Sequence, residues 1–239
     1  MLEKLFLKLA RRDDLAEFEL QALRESVSGT RDYADDETIV EAGVTVNASN
    51  ILLEGLACRA KDLADGRRQI MEVHVPGDFV DLHSFLLKKL EHNVEALTPV
   101  KIALVPHDRL KIITERWPHL SRMLWHTTLV DAALHRERIL SVGRRSALSR
   151  LAHLFCELHV RLGVVEMVQG MSYALPLTQS QLADAAGLTQ VHVNRTLKEL
   201  RDRELVVFRG GRVDIQDWDG LADVAEFDPA YLYLDKQPR

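Results

Sequence analysis

Residues 177–201 read LTQSQLADAAGLTQVHVNRTLKELR, and this stretch predicts two short helices separated by one glycine. Thr178, with Gln181 three residues further on, forms a capping box that begins the first helix. Gly187 supplies the turn, and Thr189 caps the second helix. Two helices joined by so short a turn are typical of a helix-turn-helix.

The segment that follows completes the pattern. Ala183 is small enough to let the two helices approach closely, and the β-branched Val193 fills the gap between them. Residues 205–215, LVVFRGGRVDI, contain two strand-like runs joined at Gly210-Gly211, which is the signal of a β-hairpin. A helix-turn-helix followed by a hairpin predicts a winged helix-turn-helix.

The surface of this helix pair carries polar and basic side chains. If Val193, Leu197 and Leu200 turn inward, arginine and glutamine side chains of the second helix can reach base edges in a major groove. Hydroxyl and basic side chains nearby can reach phosphates, beside two helix N-termini. A helical hairpin with a solvated charged face is the alternative. The residues predicted to contact DNA are Thr178, Gln179, Thr189, Gln190, Val191, Asn194, Arg195, Lys198 and Arg209.

The charge distribution supports the DNA interpretation. The 239-residue chain has a net charge of −5, which by itself argues weakly against nucleic-acid binding. Between Thr189 and Arg212, however, six lysine and arginine residues stand against three acidic ones. A local basic face on an acidic protein is compatible with DNA binding.

From about Tyr33 to Pro106 the chain consists of short segments that alternate apolar and polar residues. They include ETIVEAG, NILLEGLACRAK, RQIMEVHV and VKIALVP. Asp65-Gly66, between two of them, is a hairpin signal. Turn residues at about every tenth position favour an antiparallel sandwich or barrel.

After Pro106 a short helix is expected from His107 to Arg116, and Trp117-Pro118 then opens a long helix over about residues 119–142. This helix has two apolar faces, so it is expected to pack against two partners, of which one is a second copy of the chain. A helix buried within a monomer is the alternative. One face carries Trp125, Leu129, Ala132 and Ile139. The other, predicted to form the dimer interface, carries Leu120, Met123, Thr127, Val130 and Leu134.

Gly143 is expected to end the long helix, and Ser146 is placed to cap the next one. We predict a domain boundary at this glycine. It separates residues 1–143, which hold the sensor domain and the long helix, from residues 144–239, which hold the winged helix-turn-helix and a C-terminal tail.

Several classes of function are disfavoured by what the chain lacks. The two cysteines, Cys58 and Cys156, form no disulfide framework and suit a reducing cytoplasm. No apolar run is long enough for a membrane span, so no membrane partner is expected. The chain has no His-x-His pair, P-loop, G-x-S-x-G elbow or paired-cysteine zinc signature, so neither a metal site nor an enzyme is predicted.

The motifs resemble those of a known family. LTQSQLADAAGLT, VNRTLKELR and the wing resemble the DNA-binding domain of the Crp/Fnr regulators. Upstream, YADDETIVEAG, ILLEGLACRAK and DGRRQIMEVHVPGDFVDL follow the order of that family's cyclic-nucleotide-binding-type β-roll. With the long helix and the FDPAYL tail, the resemblance covers nearly the whole chain.

The resemblance implies a fold and a function. The fold is α+β, with an antiparallel β-roll (a double-stranded β-helix or jelly roll) as sensor, a long dimerisation helix and a C-terminal winged helix-turn-helix. The function is transcription regulation by a homodimer that binds a palindromic double-stranded DNA site, contacts RNA polymerase and responds to an unidentified signal. The alternative is a β-roll adaptor that acts through protein contacts.

The sequence departs from the family's ligand signatures. Cyclic-AMP-binding members carry a Gly-Glu pair after the Gly-x-Phe turn, whereas this chain has Val80-Asp81-Leu82-His83 after Gly77-Asp78-Phe79. Where their arginine pair falls, it has His92-Asn93. A cyclic phosphate would therefore lack its partner, and no cyclic AMP binding is predicted. Residues 1–57 contain no cysteine, which disfavours a [4Fe–4S] cluster. The effector pocket is predicted around Asp81, His83, His92, Asn93, Thr127, Thr128 and Asp131.

In the second helix, Val191 stands where many relatives carry a glutamate that accepts from cytosine. A valine can instead contact a thymine methyl group. Arg195 matches the family arginine that reads guanine, so one guanine contact is expected in each half-site.

Overall fold

The computed structural model describes residues 1–238. The helices are α1 Glu3–Ala10, α2 Glu17–Ser26, α3 Ser84–Leu87, α4 His107–Arg116, α5 Pro118–Arg144, α6 Ala147–Val164, α7 Gln179–Ala186, α8 Gln190–Asp202 and α9 Trp218–Ala225, followed by a 3-10 helix Pro229–Leu232. The strands are β1 Gly29–Tyr33, β2 Thr38–Val40, β3 Ala48–Glu54, β4 Ala57–Asp62, β5 Arg68–His74, β6 Asn93–Ala96, β7 Val100–Pro106, β8 Val168–Gln169, β9 Ser172–Ala174, β10 Val206–Arg209 and β11 Arg212–Ile215.

The N-terminal half is an antiparallel β-roll, as predicted. One sheet has the strand order β1-β7-β3 and the other β2-β6-β4-β5. Leu52 and Ile102 of the first sheet share a buried core with Ala57 and Val94 of the second. The β4–β5 hairpin turns at Gly66, whose φ of +82° favours glycine.

Two strands of the roll escaped the sequence analysis. β1, with the sequence GTRDY, is exposed along four of its five residues and carries no hydrophobic alternation. β6 has only four residues. Both are held by backbone pairing to longer strands, β1 to β7 and β6 to β4, rather than by a pattern of their own.

The long helix α5 extends two residues further than predicted. Gly143 keeps a helical backbone conformation, and the helix ends at Arg144, after which Arg145 is extended. The turn into α6 is short, because the Ser146 side chain accepts a hydrogen bond from the backbone N–H of Ser149 and caps the new helix as expected.

The assignment of the dimer face to Leu120, Met123, Thr127, Val130 and Leu134 is wrong. The four apolar side chains among them are buried inside the chain itself. Leu120 and Met123 pack in the cluster that contains the N-terminal helix α1, whereas Val130 and Leu134 pack against Leu232 of the C-terminal 3-10 helix. The Thr127 hydroxyl donates to the Met123 carbonyl oxygen of its own helix.

The opposite face of α5 is the one left open. Trp125, Leu129 and Ile139 are 66, 52 and 72% exposed, respectively. They are the three large residues of the other predicted apolar face, whose fourth residue, Ala132, is partly buried. A row of large apolar side chains along a solvent-facing helix is an unpartnered surface in the single chain.

The C-terminal part forms the predicted winged helix-turn-helix. Thr178 makes its capping box with Gln181, Gly187 ends α7 with a left-handed φ of +63°, and Thr189 caps α8. Val193 is fully buried between the helices. The wing strands β10 and β11 extend to a four-stranded sheet with β9 and β8.

The β-roll and the winged domain share one hydrophobic cluster. Cys58 and Ile70 of the roll belong to the same buried cluster as Leu182 and Ala185 of α7. The Gln69 side chain of β5 donates to the Asp184 carbonyl oxygen at 2.7 Å. The first helix of the helix-turn-helix is therefore fixed against the β-roll.

A pair of glycine substitutions tests this local geometry. Gly187→Ala should lower the free energy of unfolding by about 1–2 kcal/mol, because an alanine is strained in the left-handed region and its Cβ would lie 3.3 Å from a Val142 methyl group. Gly143→Ala, with helical geometry and open space around the new Cβ, should stabilise by about 0.5 kcal/mol. Urea unfolding at one protein concentration measures both, and equal effects of the same sign would contradict the assignment of these two conformations.

Candidate nucleic-acid interface

Helix α8 has one face in the core and one in solvent. Val193, Thr196 and Leu200 are buried, and the burial of the polar Thr196 was not predicted. All nine residues predicted to contact DNA are exposed, and they lie on α7, α8, their caps and the wing. Val191, near the start of α8, is 77% exposed.

The cations of this surface are available for a partner. Arg203 and Arg212 pair with Glu199 and Asp214 of the same chain. By contrast, none of the basic side chains predicted to reach DNA has an acidic partner within residues 1–238: they are Arg195, Lys198 and Arg209. These unpaired cations on α8 and the wing share one surface with the capped N-termini of α7 and α8. Cations and helix N-termini both favour phosphate.

The turn between α7 and α8 is braced from behind by Arg150, which the sequence analysis missed. Its guanidinium on α6 donates to the carbonyl oxygens of Ala186 and Gly187 at 3.4 and 3.2 Å. These carbonyls end α7 and have no partner within that helix, so a cation there is favourable. The brace fixes the angle at which α8 leaves the turn.

A cleft of about 630 Å³ lies between the β-roll and α5. Four of the seven residues predicted for an effector pocket line it: His83, His92, Thr128 and Asp131. Lining residues that the sequence analysis missed include Arg59, Gln69, Met71, His135 and Arg138. Apolar walls come from Leu87, Ala132, Ile139 and Val142.

The other three predicted pocket residues have structural partners and lie away from the cleft. Asp81 is buried and accepts hydrogen bonds from the backbone and side-chain nitrogens of Asn50 at 2.6 and 2.8 Å. Asn93 accepts from the Ala42 N–H at 2.9 Å, across the roll. Thr127 lies on the inner side of α5, facing α1. Their assignment to the pocket is wrong, because sequence proximity did not report the direction of each side chain.

The inner end of the cleft meets a buried ionic network. Its acidic members are Glu72, Asp78, Asp131 and Glu157, and its basic members are Lys8, Arg59, Arg138 and Arg161. Four positive charges thus balance four negative ones across the β-roll, α1, α5 and α6. One sign of this network is visible in the sequence, where the charged Arg59 occupies an inward position of the segment ILLEGLACRAK.

The charges keep the central carboxylate ionised. Burial alone would raise the pKa of Glu72, but the neighbouring His74, Arg59 and Arg161 together hold it well below the ordinary value. Burial lowers the pKa of His83 to about 3 and also lowers the pKa of His92. Both imidazoles of the cleft are therefore neutral at pH 7 and act as hydrogen-bonding groups.

The described residues hold no group of three or more histidine, cysteine or acidic side chains that could bind a metal ion. The same part of the chain contains no helix that is both long and apolar enough to cross a bilayer.

A β-roll joined through a long helix to a winged helix-turn-helix with an open basic surface defines a class of two-domain DNA-binding regulators. The comparisons with known proteins agree. Residues 149–224 match a Crp-like helix-turn-helix domain, and residues 30–116 match a cyclic nucleotide-binding domain. The transcriptional activatory protein AadR of Rhodopseudomonas palustris is 30% identical over 198 residues, which are 80% of each chain.

Two further similarities span most of the chain. The transcriptional activator protein FnrL of Cereibacter sphaeroides is 26% identical over 208 residues, covering 85% of this chain and 83% of the relative. The solved structure of FixK2 from Bradyrhizobium japonicum matches with a TM-score of 0.75 at 25% identity, covering 82% of this chain and 96% of that one. The chain belongs to the Crp/Fnr family of transcription regulators.

The structural role of Asp81 predicts a pH dependence. Burial raises the pKa of Asp81 to about 6, above its ordinary value of 3.8. The folded state therefore binds this proton more tightly than the unfolded state, and the stabilisation is complete below about pH 4 and is lost as the pH rises through 6. The loss should be on the order of 2–3 kcal/mol. Asp81→Asn should remove it, which the difference between the two curves of unfolding free energy against pH would show.

The exposed Asp32→Asn serves as the control, and its curve should follow that of the wild-type protein. If the curves of the Asp81 variant and the wild type run parallel between pH 4 and 6, the carboxyl group is not the buried acid described here.

Proposed function

We propose that two copies of the chain bind a palindromic DNA operator, each placing α8 in a major groove. The observation that carries the proposal is the exposed, unpaired basic surface of α8 and the wing. Two-fold symmetry of the protein would require half-sites one helical turn apart. The adaptor alternative is disfavoured, because basic side chains without acidic partners share one surface with two capped helix N-termini, which is an arrangement suited to phosphate.

The side chains of α8 divide between base reading and phosphate binding. Arg195 is proposed to donate two hydrogen bonds to guanine, with Gln190 and Asn194 beside it, and Val191 to contact a thymine methyl group. Thr178, Gln179, Thr189, Lys198 and Arg209 are proposed to bind phosphates, which position the protein without reading sequence.

The dimer is proposed to form through the exposed face of α5. Trp125, Leu129 and Ile139 lie along this face and would meet the same residues of the second copy, as a two-fold interface requires. A second groove of about 540 Å³ borders the face at Trp125 and is walled by Phe85 and Leu86. Apolar surface thus continues from the exposed face of α5 into this groove, which supports a helix of the partner copy as its cover.

The proposed role is regulatory rather than catalytic, in the cytoplasm, with RNA polymerase as the further partner. Support comes from the relatives: FnrL and AadR are described as transcriptional activators. Whether this chain activates or represses would follow from where its operators lie relative to promoters.

A cyclic nucleotide is a poor candidate for the cleft. Its two lining arginines are already engaged, Arg59 with Glu72 and Asp131, and Arg138 with Glu157. The neutral imidazoles of His83 and His92 cannot replace a cation opposite a phosphate. These pairings support the prediction that cyclic AMP is not the effector.

Selection of random DNA duplexes by the purified protein tests the proposal, and Arg195 supplies its sharpest variant. The selected site should be palindromic with a fixed guanine in each half, and its affinity should fall steeply with salt. Arg195→Ala should cost about 1–3 kcal/mol of specific binding and abolish discrimination at that guanine. Fluorescence anisotropy against operators carrying each base at that position measures this.

Two matched variants separate the contributions. Lys198→Ala should weaken binding to all sequences and lower the salt slope by about one. Arg201→Ala, at the far end of α8 and beside Asp202, should change little. Unchanged guanine discrimination in the Arg195 variant would contradict the assignment.

The corrected dimer face gives a separate prediction. Leu129→Glu should weaken the dimer at least about tenfold, because the two-fold axis would bury a carboxylate from each copy. Leu63→Glu, at the exposed tip of the β4–β5 hairpin, is the control and should leave the dimer intact. Sedimentation equilibrium gives the dissociation constants, and a Leu129 variant that remains as dimeric as the control would rule out this face.

A further inference from the structure

Arg59 is a charge in the interior of the β-roll. It lies on β4 two residues after Ala57, which belongs to the core between the sheets, and its side chain is 1% exposed. Its register partner on β5 is Glu72. A guanidinium this deep is stable only when its donors find acceptors and its charge is balanced.

The donors of Arg59 reach three different parts of the fold. Nε donates to the Val80 carbonyl oxygen at 2.8 Å, Nη1 to Glu72 Oε2 at 3.1 Å and Nη2 to Asp131 Oδ2 at 2.9 Å. Val80 lies in the loop after β5, Glu72 on β5 and Asp131 on α5. One side chain therefore joins the interior of the roll to the long helix, at the inner end of the cleft.

The connection continues to the DNA-binding domain. The second oxygen of Glu72, Oε1, lies 3.5 Å from Nη2 of Arg161 on α6. Arg161 also donates to Asp78 of the roll at 3.0 Å and to Glu157 of its own helix at 3.1 Å. Glu72 thus lies between two guanidinium groups. One is that of Arg59, which also pairs with Asp131 on α5, and the other is that of Arg161, which belongs to α6, the helix that precedes the helix-turn-helix.

We propose that Arg59 is an internal ligand, which holds the β-roll, α5 and α6 in the DNA-binding arrangement so that no diffusible ligand is needed at this position. The proposal rests on the proposed function, because it concerns the control of operator binding. A ligand that binds two structural elements at once favours the conformation in which the two are held together. Here the group that does so is the side chain of Arg59, which is covalently part of β4.

Arg59→Ala tests this proposal. The substitution deletes Cγ, Cδ and the guanidinium group, which together correspond to N-ethylguanidinium, and it leaves a cavity of that shape. Without added ligand, the wild-type protein should bind its selected operator, and the variant should bind it roughly 5–150-fold more weakly. Millimolar N-ethylguanidinium should restore much of the affinity. Ethylammonium, which has the same stem without the planar fork, should not. Neither ion should alter wild-type binding.

A folded Arg59→Ala variant that binds the operator as tightly as the wild type overturns the proposal. So does a folded variant whose weakened binding N-ethylguanidinium leaves unchanged, since a merely structural arginine would behave in that way. If the variant does not fold, Arg59→Lys and Asp131→Asn replace it. Each should weaken operator binding while keeping the wild-type circular dichroism spectrum, and unchanged affinity in both contradicts the internal ligand.

Failure of the proposed function would be recognised separately, as a wild-type protein that selects no DNA. Arg59 is then judged without DNA, by hydrogen exchange of α6 in the Arg59→Ala variant. Faster exchange that N-ethylguanidinium reverses, and ethylammonium does not, supports the internal ligand. Exchange in α6 that is the same as in the wild type overturns it.

Discussion

The arrangement of the two domains depends on one buried carboxylate, Glu72. Its side chain contacts Arg59, Arg161 and His135, which belong to a neighbouring strand and to two different helices. A lone carboxylate at this depth would be strongly unfavourable, and so would either arginine alone. Each charge is therefore tolerable only while the others are in place, so β-roll, long helix and winged domain are tied to one another more specifically than apolar packing alone would achieve.

The same network explains why the cleft of the β-roll differs from a nucleotide-binding pocket. In a ligand site, buried cations stay open toward the space that the ligand enters. In this chain, Arg59 and Arg138 point toward carboxylates of the protein, and the histidines beside them are neutral. The buried arginines around the cleft are thus paired with carboxylates of the same chain. The basic side chains without acidic partners lie instead on α8 and the wing. Positive and negative charges are therefore balanced at the contacts between the β-roll, α5 and α6. Positive charge is in excess on the surface that is proposed to bind DNA.

Local chemistry made the winged domain predictable from the sequence. Thr178, Gly187 and Thr189 act within a few residues of their own positions, so their roles are visible in a short window. The proposed dimer face was not predictable in this way. Periodicity showed that α5 is apolar on two sides, but the covers of the inner side, α1 and Leu232, lie more than ninety residues away in either direction. The Arg59–Asp131 pair spans 72 residues and was invisible for the same reason.

The junction between α5 and α6 connects these results. If two copies pair along the outer face of α5, the distance between their α8 helices is set by the angle at which α6 leaves α5. That angle is fixed by a short connection, by Arg145 against Glu137 at 2.6 Å and by Arg138 against Glu157 at 3.7 Å. Arg161, one turn beyond Glu157, fixes the same helix to the roll. The spacing of the two DNA half-sites would then be determined by buried charges that do not contact the DNA. Substitution of any of these charged residues would change the distance between the two α8 helices and therefore the affinity for an operator of given spacing.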